Sequence, residues 1–239
     1  MLINGVNISQ YNASQHTMQI GRTEISNDSK WLPGAAIPYF KKSITGFKTL
    51  VLALVIKGNS RNEILSNASK IEAACLDTVT IKLDNYPNDF VGVLKSEPKY
   101  SETAMRHWHK MELSFVGYER GTEKSTTMTG TSAVVNNAGT AISPAKITIT
   151  AKQNINNMAI TGISRDKRTR ELSQITIPNL LSGHTLIIDG YTGLITDNGS
   201  AKDITCKYLP TLAPGNNTIA VNKDSSYCTV KIDSYPVYM

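Results

Sequence analysis

The stretch Lys110-Met111-Glu112-Leu113-Ser114-Phe115-Val116 decides the fold of the first half of the chain. Met111, Leu113 and Phe115 occupy every second position, and polar residues separate them. Because successive side chains of a strand point to opposite faces of a sheet, this alternation indicates a β-strand with one buried face.

The segments before this strand predict the rest of a sheet and one helix. Phe47–Ile56, Thr78–Leu83 and Phe90–Leu94 have the apolar, β-branched character of strands. Ser60 and Glu63 have the spacing of a capping box at a helix start. Apolar residues follow at helical spacing: Ile64, Leu65, Ala68, Ile71 and Cys75. We therefore expect residues 1–120 to form a β-rich domain with one helix.

The segment from Trp31 to Phe40 is apolar but contains Pro33 and Pro38. Proline cannot donate to a central ladder, so this segment should be a sheet edge or an arm. An exposed arm would let Trp31, Tyr39 and Phe40 bury themselves against a neighbouring subunit. A loop folded back onto its own core explains the same residues equally well.

The composition changes after residue 120. Residues 121–132 (GTEKSTTMTGTS) have almost no large apolar side chain, which is typical of a linker. Residues 133–239 alternate short strands with turns, as in a β-sandwich. The expected strands cover residues 145–150, 158–163, 172–177, 185–189, 193–196, 217–221 and 228–233. The predicted fold class is therefore mainly β: an α+β sheet domain, then a sandwich.

Composition also limits the function. The net charge of +6 is shared equally by residues 1–122 and 123–239, which is not the footprint of a polyanion-binding protein. Three cysteines without a Cys-x-x-Cys spacing predict free thiols. The longest apolar run, residues 50–56, is far shorter than the ~20 residues that span a bilayer. We expect a soluble protein made in the cytoplasm.

One constellation could begin a metal site. In a strand His107 and His109 would point to the same face, but Glu112 would point to the other, and no third ligand is evident. A polar, solvent-facing strand with Trp108 in the core is the favoured interpretation. Arg106 and His107 could instead contact a neighbouring subunit.

Other clusters give little sign of chemistry. The basic segment from Arg165 to Arg170 could contact phosphate, but it lacks interleaved aromatic residues, which favours a solvated hairpin loop. The sequence has no nucleophile elbow and no glycine-rich phosphate loop. We therefore predict no enzyme activity, no catalytic residues, no metal and no cofactor.

Four segments of the second half resemble one family in their order and spacing. They are Asn136–Thr140, Ser143–Ile147, Ser182-Gly183-His184-Thr185-Leu186-Ile187-Ile188-Asp189, and Leu209-Pro210-Thr211-Leu212-Ala213-Pro214-Gly215-Asn216-Asn217-Thr218-Ile219. With the closing strand Cys228–Tyr238, they are similar to the distal tail proteins of long-tailed, siphovirus-like bacteriophages. The resemblance covers nearly the whole chain and implies that the sandwich is galectin-like.

This resemblance implies a virion structural protein of the tail tip or baseplate, assembled in the host cytoplasm. Six copies would form a ring that joins the tail tube to the tail-tip proteins. The partners would be the major tail tube protein and the tail-associated hub protein. DNA would pass through the channel without specific binding, and no membrane insertion is expected.

Two alternatives stay open on the sequence. A related tail-tube or tail-tip subunit is hard to distinguish from a distal tail protein. A carbohydrate-binding sandwich that aids host-surface attachment is the other. Because sugar sites usually offer an exposed aromatic face, the absence of Trp and Phe from residues 133–239 counts against the carbohydrate-binding alternative.

Overall fold

The structure is a computed structural model. It describes residues 1–103, 106–166, 169 and 171–239, and the side chains of these residues except 41–44. The chain divides into two compact units, Met1–Arg120 with Met239, and Gly121–Tyr238.

The first unit contains, among its described residues, ten strands, one 3₁₀ helix (Ile8–Tyr11) and one α-helix, α1 (Arg61–Ala73). The strands are β1 (Leu2–Ile3), β2 (Val6–Asn7), β3 (Ala13–Ile20), β4 (Ile25–Lys30), β5 (Tyr39–Thr45), β6 (Lys48–Lys57), β7 (Val79–Lys82), β8 (Asp89–Leu94), β9 (Lys99–Glu102) and β10 (Trp108–Arg120). The main sheet has the order β2-β1-β7-β8-β10-β6-β3, with β9 also beside β10, whereas β4 and β5 form a sheet of their own.

Strand β10 organises the core of this unit, as its alternation predicts. Its inward residues lie opposite leucines of β6 in the antiparallel ladder: Met111 opposite Leu54, Leu113 opposite Leu52, and Phe115 opposite Leu50. All six side chains are fully buried. This matches the two-residue period of a sheet with one face in the core.

Helix α1 covers that inner face of the sheet. The Ser60 Oγ accepts a hydrogen bond from the Glu63 amide at 3.2 Å, and the Glu63 carboxylate accepts one from the Asn59 amide at 2.8 Å. The predicted cap is confirmed, with its return bond one residue earlier than in a standard capping box. Ile64, Ala68 and Ile71 are buried as expected, and the large exposed apolar residue of the helix is Leu65.

The second unit is a sandwich of two sheets. Its strands are β11 (Lys124–Thr127), β12 (Ser132–Asn137), β13 (Ser143–Ala151), β14 (Ile155–Arg165), β15 (Leu172–Leu180), β16 (Thr185–Asp189), β17 (Ile195–Asp197), β18 (Ser200–Ala201), β19 (Thr205–Cys206), β20 (Thr211–Leu212), β21 (Gly215–Val221), β22 (Cys228–Ser234) and β23 (Val237–Tyr238). One sheet has the order β11-β22-β13-β16-β17-β18, with β20 beside β13, and the other has the order β12-β21-β14-β15-β19. Isoleucines and leucines from both sheets share one core. The predicted fold class is confirmed.

The segment predicted as a linker, 121–132, departs from that expectation. Lys124–Thr127 pairs with β22 as strand β11, and Met128 is buried in the sandwich core. Backbone pairing at a sheet edge needs no large side chains, so a polar segment with one apolar anchor can form a strand. The division of the chain into domains at residues 1–120 and 133–239 stays a prediction.

The α-helix of the first unit has 13 residues. In the part of the chain that the structure describes, no helix has the length and apolar character needed to cross a membrane.

Candidate functional site

The aromatic hairpin, residues 25–47, is the most conspicuous surface feature of the first unit. Strands β4 and β5 continue the ladder between β3 and β6, because the Gly21 amide donates to the Thr49 carbonyl and the Gly46 amide donates to the Glu24 carbonyl, both at 2.7 Å. Beyond this base the hairpin pairs only with itself in the described sheets. Strands of six residues extend about 20 Å.

Seven large apolar side chains of the aromatic hairpin face solvent. Their exposed fractions lie between 52% and 76%: Ile25, Trp31, Leu32, Ile37, Tyr39, Phe40 and Phe47. The alternative in which this segment folds back onto its own core is therefore wrong. The strand predicted over Phe47–Ile56 begins one residue later, at Lys48, and leaves Phe47 exposed. An isolated two-stranded hairpin is only marginally stable in water, and a concentration of exposed apolar side chains in one segment is typical of an interaction site.

A buried ion pair anchors the base of the aromatic hairpin. The Lys48 ammonium lies 2.8 Å from the Glu119 carboxylate. The other carboxylate oxygen accepts hydrogen bonds from the Tyr86 hydroxyl at 2.8 Å and the Asn88 amide at 3.1 Å. The Lys48 and Glu119 side chains are only 14% and 6% exposed, so this pair is more than a surface contact.

These contacts set the protonation states of Glu119 and of its neighbour Tyr86. Burial alone would raise the pKa of Glu119, but the hydrogen bonds from Lys48, Asn88 and Tyr86, together with the Lys48 charge, outweigh it and lower that pKa. Burial and the hydrogen bond to Glu119 raise the pKa of Tyr86 to about 12. Near neutral pH the carboxylate is therefore charged and the phenol keeps its proton.

Arg106 and His107, the other predicted interface residues, lie far from the aromatic residues. Both are exposed in the turn before β10. The His107 Nδ1 lies 3.1 Å from the Gly58 carbonyl, just beyond the end of β6 opposite the hairpin base. Since β6 has ten residues, this turn is about 30 Å from the hairpin base, so the structure brings together Trp31, Tyr39 and Phe40 but not these two.

The favoured interpretation of His107-Trp108-His109 is wrong about which side chain lies inside. His109 is 4% exposed and its Nδ1 contacts the Tyr100 hydroxyl. Trp108 is 42% exposed, and the Lys57 ammonium lies 4.2 Å from the centre of its ring. Among the described residues, no group of three side chains could hold a metal ion.

The basic segment is only partly described. Lys167, Arg168 and Arg170 lie outside the described residues. Arg165 ends strand β14, and the Asp166 carboxylate accepts a hydrogen bond from the Thr169 amide at 2.7 Å. The hairpin-loop interpretation stays a prediction.

Two buried asparagines explain part of the motif pattern in the sandwich. The Asn217 Oδ1 accepts a bond from the Ala213 amide at 2.9 Å, and its Nδ2 donates to the Ala213 carbonyl at 2.8 Å. The Asn137 Nδ2 donates to the Leu212 carbonyl at 3.2 Å, and its Oδ1 accepts from the Gly139 amide at 2.9 Å. Both side chains are 3% exposed. These residues fix loop conformations, a role that the motif spacing did not reveal.

The whole chain is similar to a solved phage protein. The crystal structure of the SPP1 Dit (gp 19.1) protein, described as a paradigm of the hub adsorption apparatus in phages that infect Gram-positive bacteria, matches with a TM-score of 0.73. The two sequences are 13% identical, and the match covers 100% of this chain and 98% of that chain.

Chains of the phage P2 baseplate in its activated conformation, solved with Ca and with Sr, also match. Each has a TM-score of 0.54 and 8% identity over 95% of this chain and 92% of the other. No protein-family model and no curated relative matches the sequence. The resemblance to distal tail proteins is thereby confirmed at the level of the fold.

Proposed function

We propose that this protein is a structural subunit of a phage tail tip or baseplate, and that six copies form a ring. The ring joins the tail tube to the tail-tip proteins and leaves a channel through which DNA passes without specific binding. Its partners are the major tail tube protein and the tail-associated hub protein, and it assembles in the host cytoplasm. The full-length likeness in fold to a phage hub protein carries this proposal.

The aromatic hairpin gives independent support for assembly. An aromatic side chain can bury about 150–250 Å², so the exposed parts of the seven apolar side chains offer roughly 800 Å² to a partner. This is about the area that one partner buries in a stable protein–protein interface. Trp31, Tyr39 and Phe40 are thus proposed as contacts between subunits.

The proposed role is structural rather than enzymatic. The titratable residues that the structure describes in close contact act as ion pairs or buried hydrogen-bond partners. In the Lys48–Glu119 pair both charges are matched and shielded from solvent, and the Asp197 carboxylate contacts the Lys202 ammonium at 2.7 Å and the His184 Nδ1 at 2.8 Å.

Solution mass tests the proposal. Light scattering coupled to size exclusion should give six times 26.1 kDa, about 157 kDa, at high protein concentration or with the tail tube protein present. Negative-stain images should then show rings with a central hole. A chain that stays at 26.1 kDa under both conditions would contradict the proposal.

The carbohydrate-binding alternative has one observation in its favour. A cavity of 450 Å³ in the sandwich is lined by Arg165, Lys207, Tyr208 and Thr211. The Thr211 hydroxyl is buried, and no hydrogen-bond partner for it lies among the residues that the structure describes. Binding of the wild-type chain, but not a Tyr208→Ala variant, on an array of cell-wall glycans would support this alternative.

A further inference from the structure

An exposed tryptophan, Trp108, stands at the end of the ladder between β6 and β10. It is the first residue of β10 and lies opposite Lys57, the last residue of β6. The Trp108 side chain is 42% exposed, and the Lys57 ammonium lies 4.2 Å from the centre of its ring. Because a cation is attracted to the face of an indole, this contact holds both side chains in place. The strand end therefore presents an aromatic surface to solvent in a defined position.

A groove of about 590 Å³ lies beside this tryptophan. Its volume falls within the range of small-molecule sites, roughly 300–1,000 Å³. Its side chains come from the end of the ladder, from the 3₁₀ helix with the residue that follows it, and from the start of α1. We call it the Trp108 groove, and the residues that matter for its chemistry are Ser9, Asn12, Lys57, Asn59, Glu63 and Trp108.

Hydrogen bonds fix the shape of the Trp108 groove. The Lys57 amide donates to the Asn12 carbonyl at 2.9 Å, which joins the ladder to the residue after the 3₁₀ helix. The Asn12 Nδ2 donates to one oxygen of the Glu63 carboxylate at 3.2 Å. The other oxygen accepts the bond from the Asn59 amide at 2.8 Å. Because the groove is formed before a ligand arrives, binding costs less ordering of side chains.

The polar groups of the Trp108 groove suit a ligand with many hydroxyls. The side-chain amides of Asn12 and Asn59 and the hydroxyl of Ser9 each provide donors and acceptors, whereas the Glu63 carboxylate only accepts. The charges of Lys57 and Glu63 cancel, so the groove does not favour an anion or a cation. A neutral ligand with one apolar face and several hydroxyls matches this combination.

We infer that the Trp108 groove binds a neutral saccharide. The C–H face of a sugar ring would stack on Trp108, and its hydroxyls would bond to the amides of Asn12 and Asn59. A nucleobase can also stack on an indole, but nucleic acid brings phosphates, which the Glu63 carboxylate repels. This groove belongs to the first unit, whereas the cavity of the carbohydrate-binding alternative belongs to the sandwich.

Multiple copies would strengthen a weak site. A groove that takes one or two sugar rings offers few contacts, so each copy should bind with a dissociation constant of roughly 1 mM. In the proposed ring, six grooves would be available to one polysaccharide, and such multivalency raises the apparent affinity roughly 100-fold or more. This gain depends on the proposed ring, whereas binding by a single copy does not.

An array of cell-wall and capsular glycans, incubated with the labelled full chain, tests the inference. Circular dichroism first establishes that each variant is folded. Trp108→Ala should abolish the binding that the wild type shows, and Asn59→Ala should weaken it roughly tenfold. Asn62→Ala is the matched control, because Asn62 is an exposed asparagine of α1 that does not line the groove. This control and Tyr208→Ala, in the sandwich cavity, should bind like the wild type.

Tryptophan fluorescence reports on the groove directly. The chain has two tryptophans, so Trp31→Phe leaves Trp108 as the single indole. Titration of this variant with the glycan that the array selects should give a saturable change in emission. Trp108→Tyr keeps an aromatic face and should retain on the array part of the binding that Trp108→Ala loses, which a merely structural role of the indole does not predict.

The outcomes separate this inference from the proposed function. A wild-type chain that binds no glycan, or glycan binding that survives Trp108→Ala and Asn59→Ala, would overturn the inference and leave the ring proposal standing. Loss of binding in Tyr208→Ala alone would move the site to the sandwich, and saturable binding of an oligothymidylate instead of a glycan would replace the saccharide by nucleic acid. A chain that binds glycan through Trp108 but never assembles would overturn the ring alone.

Discussion

The aromatic hairpin and the β-sandwich treat their large side chains in opposite ways. The hairpin places seven apolar residues in water within one short segment, including the exposed Trp31 and Phe40. The large apolar residues that the sandwich exposes, such as Val134, Leu172 and Leu194, lie on separate elements. The sandwich also fixes its loops with buried asparagines. The sandwich buries its large side chains for its own stability, whereas the hairpin exposes them, as the contact role that we propose for it requires.

The largest expected effect separates the two regions directly. Ile160 is fully buried in the sandwich, so Ile160→Ala should lower the free energy of unfolding by about 3 kcal/mol. Phe40→Ala removes a larger side chain, but the residue is 72% exposed, and the cost should stay within about 0.5 kcal/mol. Urea denaturation followed by circular dichroism measures both. A Phe40→Ala chain as destabilised as Ile160→Ala would break the comparison.

The second prediction concerns the ion pair at the hairpin base. Lys48→Met leaves the buried Glu119 carboxylate without its cation and should cost about 3 kcal/mol at neutral pH. The matched control is Lys99→Met, because Lys99 pairs with Glu112 at 3.2 Å on the surface, where Lys99 is 79% exposed. This control should change the stability by less than about 1 kcal/mol.

Acid should reduce that difference. The pKa of Glu119 is lower in the folded state, so its stabilising contribution is present above the unfolded pKa of about 4.3 and is lost as pH falls through the folded pKa. The gap between wild type and Lys48→Met should therefore shrink below about pH 4. A gap that is the same at pH 3 and pH 7 would contradict the role of charge.

The third prediction asks whether buried asparagines stabilise the sandwich. Asn217→Ala removes the acceptor of the Ala213 amide and the donor to the Ala213 carbonyl, which should cost about 2 kcal/mol. Asn216→Ala serves as the control. It loses only an exposed bond from Asn136 at 2.8 Å and should cost less than about 1 kcal/mol in the same urea titration.

The smallest effect concerns the helix of the first unit. Ser60→Ala removes the cap of the Glu63 amide and should lower the thermal midpoint by the equivalent of about 1 kcal/mol. Ser66→Ala, an exposed change in the middle of the same helix, should be neutral or slightly stabilising. If Ser60→Ala also leaves the thermal midpoint unchanged, the capping box contributes nothing to the stability of the first unit.

Much of the fold could be predicted because long strands and capped helices leave periodic signals. Strand β10 and helix α1 were both predicted near their observed positions. Strands of two residues, such as β18 and β20, are too short to show a period. The polar strand β11 gives no signal either, because its pairing depends on β22, which lies at the other end of the sandwich sequence.

The misplacement of Trp108 was avoidable. The phase of β10 is set by Met111 and Phe115, and extending it backwards places His109 inside and Trp108 outside. The prediction followed the general preference of residue types instead of the phase. Whether the aromatic hairpin is exposed could not be settled from the sequence, because aromatic residues suit a core and an interface equally well.

The strand pairing of the sandwich also has a consequence for synthesis. Lys124 pairs with Ser234, and Ser132 pairs with Ala220, so the first strands of this unit must wait for the last ones to leave the ribosome. The main sheet of the first unit takes its long strands from residues before 121. During translation, therefore, the exposed hairpin is synthesised before the sandwich can be completed. If the hairpin mediates contacts between copies, as we propose, nascent chains on neighbouring ribosomes meet at that stage, and the rate of elongation then affects how many copies assemble correctly.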